Sequence, residues 1–332
     1  MSQPEPSLPG LILPGMILTV TANPTIDRVL FVRDFAMQDV VRAEREVVSP
    51  SGKGIDVSII LHVLGVPTLA LALNAGYSGQ MLAALLAEQG VPCEFIPAWG
   101  QTRIAALITD QAQGRQSTIL ASTLHAGPEH LDQLLARLAH YAPQSWGLVC
   151  AGSLPPGLPE RAFADLLAAG RDQGLVTLLD SSGAGLRGGV AALPAILKVN
   201  GHELGELAAD AGLPLPIWDG DLRPLADFLH ERLGQWACEA LIVTLGKAGA
   251  LAVTADAAYH APAPRVTLIS PAGAGDAVAA GVMLGRRRGD PWAEALRLGV
   301  AAASAVVQNE GTAVCTAAQV AAMLPLVEVA EI

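Results

Sequence analysis

The run Pro271-Ala272-Gly273-Ala274-Gly275-Asp276-Ala277 sets two glycines one residue apart, then a carboxylate, at the head of an alanine-rich stretch. Glycines let a backbone turn tightly and bring its N–H groups close to an anion. A helix starting near Asp276 points its unpaired amides and its positive dipole end at the same place. A carboxylate at that point can take a proton from a hydroxyl that attacks a phosphoryl group. An ordinary strand-to-helix turn with a first-turn acid has the same local pattern. With 34 glycines in the chain, other residues must separate the two readings.

Several strand-end motifs do so by their order. Asn23-Pro24-Thr25-Ile26-Asp27 offers Asp27 as an acceptor for substrate hydroxyls, or as an Asx-type turn. Ser51-Gly52-Lys53-Gly54 precedes a helix beginning near Asp56, and glycines, a lysine and a helix start together make either an anion pocket or a flexible loop with one solvated lysine. Arg103, after Thr102, can reach a phosphate or guard a sheet edge. Ser153 lies in Ala151-Gly152-Ser153-Leu154-Pro155-Pro156-Gly157, either a ligand contact or part of a rigid turn. Asn200 and Glu203 share a helical face, which suits Mg²⁺ held partly through water and equally suits a helix cap. Val243-Thr244-Leu245-Gly246 would place Thr244 near nucleotide phosphates, or is simply a strand followed by a turn. A P-loop signature, a Gly-x-Gly-x-x-Gly after the first strand and a Gly-x-Ser-x-Gly elbow do not occur, which disfavours those three enzyme classes.

The elements that must carry these residues follow from hydrophobic pattern. Met16 to Thr21 reads as a first buried strand. Helical runs Val57–Leu64, Gly79–Glu88, Pro128–His140 and Pro159–Arg171 alternate with apolar strands Thr68–Leu73, Gly147–Ala151, Val176–Asp180, Ile196–Val199 and Leu241–Leu245. That alternation predicts an α/β fold, a parallel sheet with helices on both faces and ligands beyond the carboxyl ends of its strands. Half-exposed stretches at Val29–Phe35, Arg103–Thr109 and Gln116–Ala121 predict a small side sheet. Gly212 to Arg223 reads as a loop within one domain.

Composition supports an enzyme-sized body: of 332 residues, 52% are hydrophobic and only 4% aromatic, so Ala, Leu, Val and Ile must build the core. A net charge of −11 argues against a nucleic-acid or anionic-membrane surface. Cys93, Cys150, Cys238 and Cys315 lie far apart, the pattern of reduced thiols in a cytoplasmic protein. Residues 1–15, with four prolines and no basic start, read as a flexible extension, and no apolar run is long enough to span a bilayer.

With these motifs in order, the chain from about Met16 to its end resembles the ribokinase-like (PfkB) family of carbohydrate kinases. Gly273-Ala274-Gly275-Asp276 matches the family's C-terminal signature and Asn200 with Glu203 its Asn-x-x-Glu magnesium motif; Asp180-Ser181-Ser182-Gly183 matches as well. Gly299-Val300-Ala301-Ala302 and Asn309-Glu310-Gly311-Thr312 resemble the nucleotide-side helix and loop. Asn23-Pro24 with Asp27, Gly52-Lys53-Gly54, Thr102-Arg103 and Gly152 to Gly157 look like the hexose-phosphate branch, which includes 1-phosphofructokinases, tagatose-6-phosphate kinases and minor 6-phosphofructokinases.

The resemblance implies a Rossmann-like (ribokinase-like) α/β domain over 16–332, a β lid drawn from about 29–48 and 102–121, and a homodimer through that lid. It implies Asp276 as catalytic base, with Gly273, Ala274 and Gly275 completing the anion hole. Lys53 and Arg103 would hold the substrate's existing phosphate, with Gly52 and Gly54 beside them and Arg42 and Ser153 as further candidates. Asp27 and Asp56 would face the sugar. Lys198, Asn200, Glu203, Thr244, Gly246, Gly249 and Asn309 would serve ATP and Mg²⁺. The expected reaction is ATP-dependent phosphorylation of a ketohexose phosphate, fructose 1-phosphate ahead of tagatose 6-phosphate and fructose 6-phosphate. A kinase for an unphosphorylated sugar or nucleoside is the alternative, and a sugar-phosphate-binding protein without turnover comes last. Three residues depart from the family pattern on the sugar side: Ser51 for a glycine, and Asp56 and Ala105 for asparagines.

Overall fold

The computed structural model describes residues 15–37 and 40–332. The expected N-terminal extension therefore lies outside the described residues except at Gly15, whose N–H donates to Gln144 O at 3.0 Å.

The chain opens with β1 (Met16–Thr21), β2 (Thr25–Val32), β3 (Arg45–Ser51), α1 (Lys53–Val63), β4 (Thr68–Asn74), α2 (Gly76–Glu88) and β5 (Cys93–Pro97). It continues through β6 (Trp99–Gly100), β7 (Arg103–Asp110), β8 (Arg115–Ile119), β9 (Leu124–His125), α3 (Pro128–Tyr141) and β10 (Ser145–Ala151). Next come α4 (Ala162–Asp172), β11 (Val176–Asp180), α5 (Gly183–Val190), β12 (Ile196–Asn200), α6 (Gly201–Asp210), α7 (Arg223–His230) and β13 (Ala240–Thr244). The last part holds β14 (Ala250–Thr254), β15 (Ala258–Ala261), α8 (Ala274–Arg288), α9 (Trp292–Val306), α10 (Ala317–Met323) and β16 (Ala330–Glu331).

Ten strands form the main sheet, in the order β16-β15-β14-β13-β12-β11-β10-β1-β4-β5. Every pairing from β5 across to β13 is parallel. The remaining edge, β14 to β16, is antiparallel because β13 turns straight back through Gly246–Ala248 with no crossover helix. Alternate side chains feed two cores. Leu18, Val20 and Leu148 join α3 to α7 on one face, while Ile17, Val149 and Ala151 join α1, α8, α9 and α10 on the other. Burial on both faces explains why these strands read as nearly continuous apolar runs.

β3, β2, β7 and β8 form a separate four-stranded sheet in that order. It springs from the carboxyl end of β1, so it overhangs the rim where the parallel strands end. Its inner face packs Val29, Phe31, Ala105 and Leu107 together, with Ala272 of the turn before α8 against them. The lid thus rests on the segment that carries Asp276.

Some boundaries differ from those expected. α1 begins at Lys53 rather than near Asp56, because Gly52, at φ 126°, breaks the extended chain directly before it. β2 begins at Thr25, so Asp27 sits inside a lid strand and not in a turn closing β1. The expected start at Val29 missed this because Asp27 interrupts the apolar pattern although it is buried.

Candidate active site

α8 starts at the rim. Its N-cap, Gly273, is left-handed at φ 81°, and a Cβ there would stand 2.5 Å from the Ala313 amide nitrogen, so glycine is required twice over. Gly273 O accepts from Ala277 N at 2.9 Å, while the amides of Gly275 and Asp276 head the helix without a backbone acceptor. Asp276 is the third residue of the helix and is 8% exposed.

Two lysines and two further carboxylates surround it. Asp180, fully buried at the end of β11, accepts from Lys198 Nζ at 2.6 Å through Oδ2 and from Lys53 Nζ at 2.7 Å through Oδ1. Lys53 Nζ also donates to Glu203 Oε1 at 2.7 Å. A Cβ on Gly275 would meet Lys198 Nζ at 2.9 Å, so this glycine lets a buried ammonium approach the head of α8.

Electrostatics follow from this packing. Burial, and then the Asp180 charge, push the Asp276 carboxyl up to about 7, against the pull of Lys198 and Lys53. Burial also opposes ionisation of Asp180, yet its two lysines hold it below the usual carboxylate range. Lys53 is penalised by burial too, but Asp180, Glu203 and Asp276 outweigh that and raise it. The site therefore holds one carboxyl poised near neutrality beside Asp180 and Lys53, whose charged forms are favoured. That is the profile of a general base.

Asn200 and Glu203 form a reciprocal cap on α6: Glu203 N donates to Asn200 Oδ1 and Asn200 N to Glu203 Oε2, each at 2.9 Å. The cap aims hard oxygen atoms at the cluster, and both side chains already carry protein hydrogen bonds. This donor set suits a magnesium ion bound through water and nucleotide phosphates. Among the described residues no group of three or more His, Cys, Asp or Glu could by itself hold a metal.

A second cluster lies under the lid. Arg103 Nη2 donates to Asn23 O at 2.9 Å, while its Nε is buried with no partner. Asn23 Nδ2 donates to Ser153 Oγ at 3.2 Å. Asp27 pairs in register with Ser49 on one side and Ala105 on the other, and its Oδ2 accepts from Thr312 Oγ1 at 2.7 Å. Asp56, 3% exposed, accepts from Ser51 Oγ at 3.0 Å through Oδ2, while Oδ1 is buried without a partner. Burial raises both acids, offset for Asp27 chiefly by Thr312 and augmented for Asp56 by the charges of Asp276 and Asp27. Burial lowers Arg103, which Asp27 partly restores. Asp56 thus bridges the two clusters.

Beside the head of α8 opens a cleft of about 560 Å³, walled by Thr244, Gly246 and Gly249 from the β13–β14 turn, Ala274 and Gly275 from α8, and Val300 from α9. Three of the residues expected to serve a nucleotide therefore line one cavity next to Gly275.

Not every candidate joins these groups. Asn309 stands apart from the cleft walls: its Nδ2 donates to Ala305 O at 2.8 Å and its Oδ1 accepts from Gln319 at 3.1 Å. Arg42 is exposed in the stretch leading to β3. Lys53, expected as a clamp for the substrate's phosphate, is ion-paired with Asp180 and Glu203. Asp180 received no role from the sequence, although a carboxylate ending an apolar strand before Ser181-Ser182-Gly183 is a legible signal. Thr312, read with the nucleotide loop, contacts the sugar-side acid Asp27 instead.

No helix among the described residues is long and apolar enough to cross a membrane. The four cysteines are unpaired thiols.

Residues 18–319 match the family model described as "pfkB family carbohydrate kinase". The chain is 31% identical over 299 residues to a 1-phosphofructokinase of Bacillus subtilis, covering 89% of this chain and 93% of the relative. It is also 31% identical over 299 residues to an ATP-dependent 6-phosphofructokinase isozyme 2 of Mycobacterium tuberculosis, covering 90% and 86% of the two chains. Among solved structures, phosphofructokinase-2 from Escherichia coli in complex with substrates and products superposes with a TM-score of 0.83 at 27% identity, covering 93% of this chain and 98% of that one.

Proposed function

The chain belongs to the pfkB family of carbohydrate kinases, and from that premise we propose that it transfers the γ-phosphoryl group of ATP to a hydroxyl of a ketohexose phosphate, fructose 1-phosphate in first place. Tagatose 6-phosphate and fructose 6-phosphate rank behind it. The observation that carries the reading is Asp276, poised near neutrality at the head of α8 and flanked by the Asp180–Lys53–Lys198 network.

The sugar hydroxyl approaches Asp276, which takes its proton as the new O–P bond forms and the bond to the departing nucleotide breaks. Charge then spreads over the phosphoryl oxygens. The amides at the head of α8 and the ammoniums of Lys198 and Lys53 meet that charge without reorganising. Magnesium, reached through Asn200 and Glu203, would add neutralising charge on the nucleotide phosphates. The acceptor lies under the lid, with Asp27 and Asp56 taking hydrogen bonds from its hydroxyls. Arg103 brings the buried, unpartnered Nε that an anionic group on the sugar needs, with Ser153 beside it. Thr244, Gly246 and Gly249 line the nucleotide side. The reading extends to a homodimer through the lid, for which size-exclusion chromatography with light scattering is the check, and to a cytoplasmic location, checked by cell fractionation.

The test is ADP release with Mg-ATP across ketohexose phosphates, free sugars and nucleosides. Turnover on at least one ketohexose phosphate is expected, and Arg103→Ala should raise the KM for that substrate at least tenfold while leaving the KM for ATP within about twofold. Turnover on neutral acceptors alone would overturn the phosphate site.

A further inference from the structure

The loop 309–313 joins α9, which walls the nucleotide cleft, to α10, and it touches three parts of the site at once. Ala313 N donates to Ala272 O at 3.3 Å, and the same amide fills the space where Gly273 would carry a Cβ. Thr312 N donates to Ser49 Oγ in lid strand β3 at 3.2 Å, and Thr312 Oγ1 donates to Asp27 Oδ2 in lid strand β2 at 2.7 Å. Glu310 is ion-paired with Arg45, also in β3, at 2.5 Å. Ala313 holds φ 56°, a left-handed conformation that a non-glycine residue keeps only when its surroundings impose it. The loop is therefore clamped against both the lid and the anion-hole turn.

We propose that Thr312 is a positioning residue for the acceptor sugar: its hydroxyl fixes the carboxylate of Asp27, and its loop holds the lid strands in place over the turn that carries Asp276. The inference rests on the sugar-kinase reading. Asp27 lies on a lid strand, whereas the chemistry belongs to α8, so something must hold one against the other. Thr312 is 4% exposed and donates to Oδ2 of Asp27, the strongest of the hydroxyl contacts on that carboxyl, ahead of Ser51 and Thr25. A hydrogen bond to a buried carboxylate both stabilises the charge and selects its rotamer. The approach of Gly311 to Ser49, where a Cβ would stand 2.8 Å from Oγ, leaves the loop little room to move.

The test compares Thr312→Val, which removes the donor and keeps the shape, with Thr312→Ser, which keeps the donor. Thr312→Val should raise the KM for the acceptor about tenfold to a hundredfold, the loss of one hydrogen bond to a charged group, with the KM for ATP changed less than about twofold. Thr312→Ser should return the acceptor KM to within about threefold of wild type. An unchanged acceptor KM in Thr312→Val, an equal rise for ATP, or no rescue by serine would each overturn the proposal. Glu310→Gln, at a half-buried position, provides a second handle: a two- to fivefold rise in acceptor KM alone is expected (roughly the value of a surface ion pair), and no rise counts against the clamp. Wild-type turnover separates the two readings. If only an unphosphorylated sugar is turned over, the phosphate reading fails, and the same comparison is made with that sugar.

Discussion

At the scale of single residues, the proposed chemistry rests on Asp276. With its carboxyl pushed to about 7 by burial and Asp180, the acid limb of kcat/KM should rise as pH passes through about 7. Asp276→Asn should lower kcat by about 10²–10⁴-fold with little change in either KM, and equal turnover would remove the base assignment. The same residue predicts a stability effect of known sign. Its folded pKa lies above the unfolded value, so its contribution is complete below about pH 4 and is lost as pH rises through about 7. The Tm of Asp276→Asn relative to wild type should therefore climb between pH 4.5 and pH 8 (roughly that pKa window) and level off above it. A flat difference across that range would show that burial of this carboxyl carries no such penalty. Asp276 was legible from its motif, but its tuning was not: Asp180, Lys53 and Lys198 lie 96, 223 and 78 positions away in the chain, and only folding makes them neighbours.

At the scale of elements, the site depends on α8 lying tightly against its neighbour. A Cβ on Gly281 would stand 2.5 Å from the Gly299 Cα of α9 and 2.6 Å from its nitrogen, all backbone atoms that cannot rotate aside. Gly281→Ala should therefore destabilise the protein by about 1–3 kcal/mol in urea unfolding, despite alanine's better helix propensity. It should also displace the head of α8 and lower kcat. A stabilised Gly281→Ala would mean that the two helices can part freely. Most elements announced themselves in the sequence: Met16–Thr21 and Val176–Asp180 occur with the bounds their apolar runs predict. The lid strands were harder to bound, because a strand with one exposed face and buried acids such as Asp27 has a mixed pattern. The antiparallel edge β14–β16 was not foreseen, since strand direction is set by the connecting turn and not by strand composition.

At the scale of the whole molecule, one rim gathers residues from β2, β11, β12, α1, α6 and α8 under a single four-stranded lid. Sugar phosphate and an unreactive ATP analogue with Mg²⁺, both at about a hundredfold over Kd, should each stabilise the protein by about 2.7 kcal/mol. In hydrogen exchange, the added protection should fall on β2, β3, β7 and the first turn of α8, because these face the ligands, and it should be slight in β10 and β11, which are already buried. Protection confined to the central sheet would argue against binding beneath the lid. The α/β class, the kinase family and the central parallel strands were legible along the chain. These depend on local hydrophobic period and on short motifs whose chemistry needs adjacent residues. Which charges meet is set by the folded chain. It ion-paired Lys53 with Asp180 and Glu203, made Asp180 the partner of two lysines, tied Asn309 to Ala305 and Gln319 and set Thr312 on Asp27. Electrostatic energies depend on distance and burial, and neither is a property of position along the chain.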